Sequence, residues 1–238
     1  MSGLGTRFQS KGYTEPKPLI KVLEDTMVRT VIRNLDFPGA FFTFVINQTQ
    51  ISVEDFVSHI SDLIEDFEVV SVEKVTNGPA SSCLLAHEII NTDLPLIIAN
   101  CDQVVHDFNY FKLYEFCEIN EAHGALGCFI SSSPKNSYVS VDDTGVITNV
   151  KEKVVISNLA TNGLHFWMKG SDFVSSAKTM VSCQDTCKGE YYVAPTYNYL
   201  IKDGKKILPF FYNLHFPIGT PEDLVTYRKV YSYGKTQN

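Results

Sequence analysis

The stretch LPLIIAN (94–100) constrains most strongly what this chain can fold into. It is apolar at almost every position, shows neither alternation nor a helical period, and is far too short to cross a membrane. Such a run predicts a strand buried on both faces, which calls for a parallel sheet covered by helices. Asp102 follows in CDQ, at the carboxyl end of that strand, where open α/β sheets bind their ligands. A carboxylate there is costly unless it is ligated or hydrogen-bonded. It reads as a metal ligand or as the cap of the next helix.

Strand-like and helix-like segments alternate around this run. A helix over 24–35 precedes the strand-like FFTFVIN (41–47). Ser52 then opens a helix with Asp55 three residues on, a weak capping box, and Val53, Phe56, Val57, Ile60, Leu63 and Ile64 share one helical face. VVSVEK (69–74) reads as a strand, 80–90 and about 107–121 as helices, and GALGCFIS (124–131) as a strand. YVSVDDTGVITNV (138–150) alternates about an Asp-Thr-Gly turn and predicts an antiparallel hairpin. GLHFWMK, helices near 171–181 and 191–202, the strand KILPFFYN and the helix PEDLVTYRKVY follow. The pattern is one α/β domain with a mostly parallel sheet and an inserted hairpin region.

The 238 residues, 44% of them hydrophobic and 12% aromatic, are enough to bury a sizeable core. A net charge of −7 argues against nucleic acid as a partner but leaves polyanionic small molecules open. Six cysteines are scattered without a CxxC pair, several inside apolar runs. That pattern fits buried thiols better than zinc. With no signal peptide and no apolar run near ~18 residues, the expectation is a cytoplasmic protein with no membrane partner.

The clearest chemical signal lies near the start, in GLGTRFQSKGYTEPKPLI (3–20). Backbone N–H groups of a glycine-rich turn can converge on an anion. Gly3 and Gly5 permit close approach, and Arg7 can fork onto two phosphate oxygens. Pro16 and Pro18 stiffen the backbone around Lys17 and so fix its ammonium. Neither a Walker GxxxxGK[ST] nor a full GxGxxG is present.

GxGTRF followed by a Pro-flanked lysine resembles the signature of the sugar-phosphate nucleotidyltransferases, the thymidylyl-, uridylyl-, guanylyl- and cytidylyl-transferring enzymes that make activated sugars and headgroups. Four later stretches resemble the same family in the same order. TNGPASSCLLA (76–86) matches its nucleobase segment, at Gly78 and Ala80. LPLIIANCDQ matches the strand whose aspartate, here Asp102, holds Mg²⁺. VKEKVVISNLATNGLHFW (150–167) matches the acceptor segment, with Glu152 for sugar hydroxyls, Lys153 for the phosphate, and Asn158 and Gly163 also matching. GEYYVAPTYNYLI (189–201) brings Glu190 toward the sugar. HFPIGTPEDL (215–224) resembles the closing Gly-Thr turn. Val154 stands where the family has proline, Asn162 where threonine is frequent, and Pro217 where many relatives have a second metal-binding aspartate. His215, two residues before Pro217, is a weak substitute ligand.

The resemblance implies a three-layer Rossmann-like, GT-A-like fold and a single nucleotidyltransferase domain over 1–238, nucleotide-binding over about 1–123 and acceptor-binding over about 124–238. It also implies that the loop's leading strand is missing, because only Met1 and Ser2 stand before Gly3. The implied reaction is Mg²⁺-dependent: a phosphate monoester attacks the α-phosphorus of an NTP and pyrophosphate leaves. Arg7 and Lys17 would hold the phosphates, with Gly3, Leu4, Gly5 and Thr6 forming the loop, while homo-oligomerisation stays open. Two alternatives remain: a catalytically degenerate nucleotide-binding domain, and a GT-A-type glycosyltransferase, although no D-x-D motif occurs.

Overall fold

The structure, a computed structural model, describes residues 5–235. Its strands are β1 (Phe42–Asn47), β2 (Phe67–Val72), β3 (Leu96–Ala99), β4 (Gln103–Val105) and β5 (Gly124–Ile130), then β6 (Ser137–Val141), β7 (Ile147–Glu152), β8 (Leu159–Trp167), β9 (Ile207–Phe211) and β10 (His215–Pro217). Its helices are α1 (Thr6–Gln9), α2 (Met27–Leu35), α3 (Val53–Ser58), α4 (Pro79–Leu84) and α5 (His87–Ile90), then α6 (Tyr110–Ile119), α7 (Gly170–Ser182), α8 (Tyr197–Lys202) and α9 (Pro221–Lys235).

The chain divides into two compact units, each discontinuous in sequence. The first unit gathers residues 1–75, 100–108 and 214–238. In it β1 pairs in parallel with β2, and β4 pairs antiparallel with β10. The apolar face of α2 splits between two clusters. Met27 and Val31 pack with Phe8, Ile20, Val22, Val104, Ile218 and Leu224, whereas Val28 and Ile32 pack with Phe44, Ile46, Phe56 and Ile60. Ser52 caps α3 as the sequence predicts, its hydroxyl accepting from the Asp55 amide at 3.0 Å. The helix is shorter than its apolar stripe: beyond Ser58 the chain goes on in turns that mix i→i+3 and i→i+4 bonds, Ile60 N and Ser61 N both on Val57 O and Leu63 N and Ile64 N both on Ile60 O. Ile60 and Ile64 are still buried from these turns.

The second unit, residues 76–99 and 109–213, holds a six-stranded sheet. The long strand β8 pairs along one edge with β5, and on its other edge with β3 near Trp167 and with β6 near Ala160. β9 lies parallel to β5, and β7 is antiparallel to β6. Strands β3, β5, β6 and β9 therefore run one way, and β7 and β8 run against them. The sheet is mixed, four of its six strands sharing one direction, within an α/β fold, as the sequence predicts. β6 and β7 form the expected hairpin, the Asp142 carboxylate accepting from the Thr144 and Val146 amides in the turn.

β3 corrects one expectation. Its four residues are half-buried rather than enclosed, and its partner among the described residues is the antiparallel β8. Leu96 and Ile98 pack on the core of the unit. A run of branched apolar side chains reports burial without reporting the direction of the neighbouring strand.

That core is built around Trp167, which stacks on Tyr197 at 4.5 Å and 13° and meets Phe173 edge-on at 5.0 Å. His165, two residues along β8, stacks on the same pair and is buried. Burial pulls its pKa from 6.5 down to about 4, against the hydrogen bonding of Ile98 and Gly163. The unfolded chain therefore binds a proton between those values that the folded chain does not, so stability falls as pH drops from 6.5 toward 4. The full difference is roughly 3 kcal/mol. His165→Phe should flatten this part of the stability–pH curve in urea unfolding at pH 5 and 7.5. An unchanged slope would mean that another group titrates.

Candidate functional site

In the first unit, Gly5 is left-handed (φ 63, ψ 23) and leads into α1. A Cβ on it would lie 3.2 Å from the Cβ of Lys17, so the loop glycine packs directly on the lysine stem. Lys17 opens a single 3₁₀ turn, Lys17–Leu19, with Pro16 before it and the buried Pro18 after it. Its ammonium donates to Asp102 Oδ2 at 2.5 Å, and both side chains are largely shielded, with 21% and 27% exposed. Burial pulls the Lys17 pKa down, but Asp102 and Cys101 outweigh it and Arg7 opposes them only weakly, so the net shift is upward. Lys17 is therefore held as a cation.

Asp102 is fixed from two further directions. Its carbonyl accepts from the Ile218 amide at 2.8 Å. A Cβ on Gly219 would lie 2.5 Å from Asp102 Oδ2, so the carboxylate occupies space that only a glycine leaves. Thr6 and Arg7 are exposed on α1; Gly3 and Leu4 lie outside the described residues. His215 pairs with Val105 and Pro217 with Gln103. Burial lowers the His215 pKa and favours its neutral imidazole.

In the second unit, Gly78 has φ 113 and ψ 171 and caps α4. A Cβ there would meet both the N and the O of Tyr191 at 2.6 Å and the Cβ of Glu190 at 3.1 Å. The Tyr191 amide donates to Asn77 O at 2.8 Å, and the buried Ala80 returns its amide to Tyr191 O at 2.9 Å. The glycine and Ala80 are thus welded to the segment that carries Glu190. A tight turn sets that segment: Cys187 and Glu190 exchange backbone bonds across Lys188 (φ 52) and Gly189 (φ 80). Two successive positive φ values are the signature of a type I′ turn.

Glu152 ends β7 and is buried, its carboxylate accepting from the Ser137 hydroxyl. Burial pushes its pKa up, against Ser137 and Lys153, and Glu190 adds to the rise. Lys153 is left-handed (φ 56), and its amide donates to Asn136 O at 3.0 Å. Its ammonium lies 3.9 Å from Glu152 Oε1 and donates to the Tyr192 hydroxyl, which in turn donates to Glu190.

Gly163, with φ 82, sits where the β5–β8 register shifts. Asn162 folds back there, its side-chain Oδ1 accepting from the Leu164 amide at 3.1 Å. A Cβ on Gly127 would lie 2.3 Å from that oxygen, so Asn162 is accommodated by a glycine on the neighbouring strand. Asn158 is exposed, and its backbone carbonyl accepts from the Ser131 amide at 3.0 Å.

The structure thus gathers Gly5, Lys17 and Asp102 in one unit, and Gly78, Ala80, Glu152, Lys153 and Glu190 in the other. Sequence reasoning missed Gly219 as the seat of Asp102, along with Ser137 and Tyr192. The Tyr-Tyr pair after Glu190 carries no local mark that distinguishes a network residue from a packing one.

An α/β sheet protein with a glycine loop packed on a fixed Lys–Asp pair has the makings of a phosphate-handling enzyme. The Nucleotidyl transferase family profile matches residues 1–231, and the chain belongs to that family. The chain is 29% identical over 136 residues to a mannose-1-phosphate guanyltransferase of Candida albicans, a match covering 56% of this chain and 36% of the relative. It spans less than half the length of the curated relatives it matches. Among solved structures it is similar to a nucleoside-diphosphate-sugar pyrophosphorylase of Vibrio cholerae, with a TM-score of 0.83, 22% identity and coverage of 95% and 97% of the two chains. It is also similar to a UDP-glucose pyrophosphorylase complexed with UDP-glucose, with a TM-score of 0.77, 17% identity and coverage of 98% and 96%.

Proposed function

We propose that the chain is a sugar-phosphate nucleotidyltransferase working as one functional domain, joining a nucleoside monophosphate from an NTP to a phosphate monoester and releasing pyrophosphate. The observation that carries this is the Lys17–Asp102 pair, wedged between Gly5 and Gly219. Phosphoryl and nucleotidyl transfer need charge neutralisation and in-line alignment more than a protein nucleophile.

In this reading Lys17 and Arg7 neutralise the triphosphate, with the loop from Gly3 to Thr6 wrapping its phosphates and Gly78 and Ala80 backing the base. Lys153 receives the incoming monoester, and Glu152 and Glu190, with Asn158 and Gly163 near by in sequence, select its hydroxyls. Asp102 offers one hard carboxylate, and among the described residues no group of three metal-ligating side chains gathers. That donor set suits Mg²⁺, which is commonly held by one or two carboxylates and the substrate's own phosphates. When bound, Mg²⁺ would supply neutralisation of the phosphate oxygens; His215 is a candidate to assist Asp102. Among the described residues no helix is long and apolar enough to cross a membrane, and a cytoplasmic site is proposed because NTPs are made available there.

Thermal shift of the 238-residue protein with Mg²⁺ and each of GTP, UTP, dTTP, CTP and ATP tests the reading, followed by pyrophosphate release with mannose 1-phosphate and glucose 1-phosphate. A ligand at a hundredfold its Kd adds about 2.7 kcal/mol and is easily seen. One nucleotide should raise the melt selectively and support pyrophosphate release. A cooperative melt that no nucleotide shifts would overturn the enzyme in favour of a degenerate domain.

A further inference from the structure

Lys153 can bind a phosphate only if its ammonium does not close onto the carboxylate beside it. Glu152 Oε1 is 3.9 Å away and buried. What stands at the ammonium instead is Tyr192. The Lys153 Nζ donates to the Tyr192 hydroxyl and lies 4.1 Å from the centroid of its ring. The same hydroxyl gives its own proton to Glu190. Burial first, and Glu190 second, raise the Tyr192 pKa, so the hydroxyl stays protonated and keeps this direction of donation.

Ser137, Glu152, Lys153, Tyr192 and Glu190 thus form one polar chain with the lysine at its centre. Its middle and its Glu190 end are anchored. Lys153 has a left-handed backbone tied to Asn136, and Glu190 ends the turn begun at Cys187. Cys187 in turn donates to Glu152 O at 3.5 Å.

We infer that Tyr192 is a positioning residue of the acceptor site. Tied to Glu190, its hydroxyl holds the Lys153 ammonium off Glu152, so that the cation stays open to the phosphate of the monoester and the carboxylate stays open to its hydroxyls. The inference rests on the nucleotidyltransferase reading given above. It assigns Tyr192 no contact with the NTP.

Tyr192→Phe keeps the ring and removes only the two hydrogen bonds. Losing a hydrogen bond to a charged group costs about tenfold or more in affinity. Calorimetric titration with mannose 1-phosphate and glucose 1-phosphate should show that loss in Tyr192→Phe, with the thermal shift by the cognate NTP and the melting temperature unchanged. Adding Glu152→Gln removes the carboxylate that captures Lys153. The double variant should then recover part of the affinity for inorganic phosphate, which has no sugar hydroxyls for residue 152 to miss. Equal monoester affinity in wild type and Tyr192→Phe, or a double variant weaker for phosphate than the single one, would overturn the positioning role alone. Failure of the wild type to bind any phosphate monoester would instead bring down the nucleotidyltransferase reading, and the role with it.

Discussion

Asp102→Ala should lower turnover by ~10²-fold or more, the scale for losing one preorganised electrostatic group. The carboxylate carries two roles, one proposed and one observed, and the variant removes both. In the proposed reading it is the hard-oxygen donor to Mg²⁺, and in the structure it is the partner of the Lys17 ammonium at 2.5 Å. Burial and Arg7 both pull the Lys17 pKa down, and Asp102 is the main reason that the net shift is upward. Without it the lysine should lose its proton at lower pH. The pH profile of Asp102→Ala should therefore fall on its alkaline side earlier than that of the wild type. Lys17→Met should lose a similar factor but show no such displaced limb, because the titrating group has gone. Gly219→Ala should approach the Asp102→Ala phenotype with both charged groups still present, since its methyl would stand 2.5 Å from Oδ2. Pyrophosphate release measured from pH 6 to 10 reads all three. Near-normal turnover by Asp102→Ala with Mg²⁺ would remove Asp102 from the site.

How much of this was legible in the sequence follows the range of the forces involved. Short-range patterns read well. The Ser52 cap, the Asp142 turn and the amphipathic α2 each depend on residues within a few positions of one another. Two expected helices were interrupted for equally local reasons. The helix over 80–90 breaks at Ala86 (φ −92, ψ 14), between α4 and α5. The helix over 191–202 begins as a 3₁₀ turn at Ala194, where Pro195 lacks an amide to donate. Sheet partners did not read, because an apolar run such as Leu96–Ala99 does not encode the direction of its neighbour.

The site shows the same split. Lys17 could be singled out as a candidate because its two prolines are adjacent, and Asp102 because it ends an apolar run. Gly219 could not be assigned to Asp102, since only the fold brings that backbone against that carboxylate. Tyr192 was hidden for a different reason. Its role lies in standing between two other side chains, Lys153 and Glu190, and no residue-by-residue property announces that.

Gly78→Ala should be the most destabilising of the glycine substitutions at the proposed site, and it should damage the proposed acceptor cluster as well as the proposed nucleobase segment. Two costs add. At φ 113 and ψ 171 the backbone is in a region essentially reserved for glycine, worth about 1–3 kcal/mol of strain. The new methyl would also meet the backbone N and O of Tyr191 at 2.6 Å, atoms that cannot rotate away. Overpacking of that kind costs a further ~1–3 kcal/mol. A loss of about 4 kcal/mol lowers the melting temperature of a chain this size by on the order of 10 °C. Gly145→Ala separates the two terms. Gly145 also has a positive φ, 84, but nothing lies within 4 Å of where its Cβ would be, so it carries strain without the clash. Its melting temperature should fall by only a few degrees. The clash has a direction, too: it pushes on Tyr191, between Glu190 and Tyr192, so Gly78→Ala should weaken binding of the phosphate monoester, whereas Gly145→Ala should leave it unchanged. Equal melting temperatures for the two variants would mean that the segment at Tyr191 yields freely. The coupling of Gly78 to the acceptor residues would then be lost.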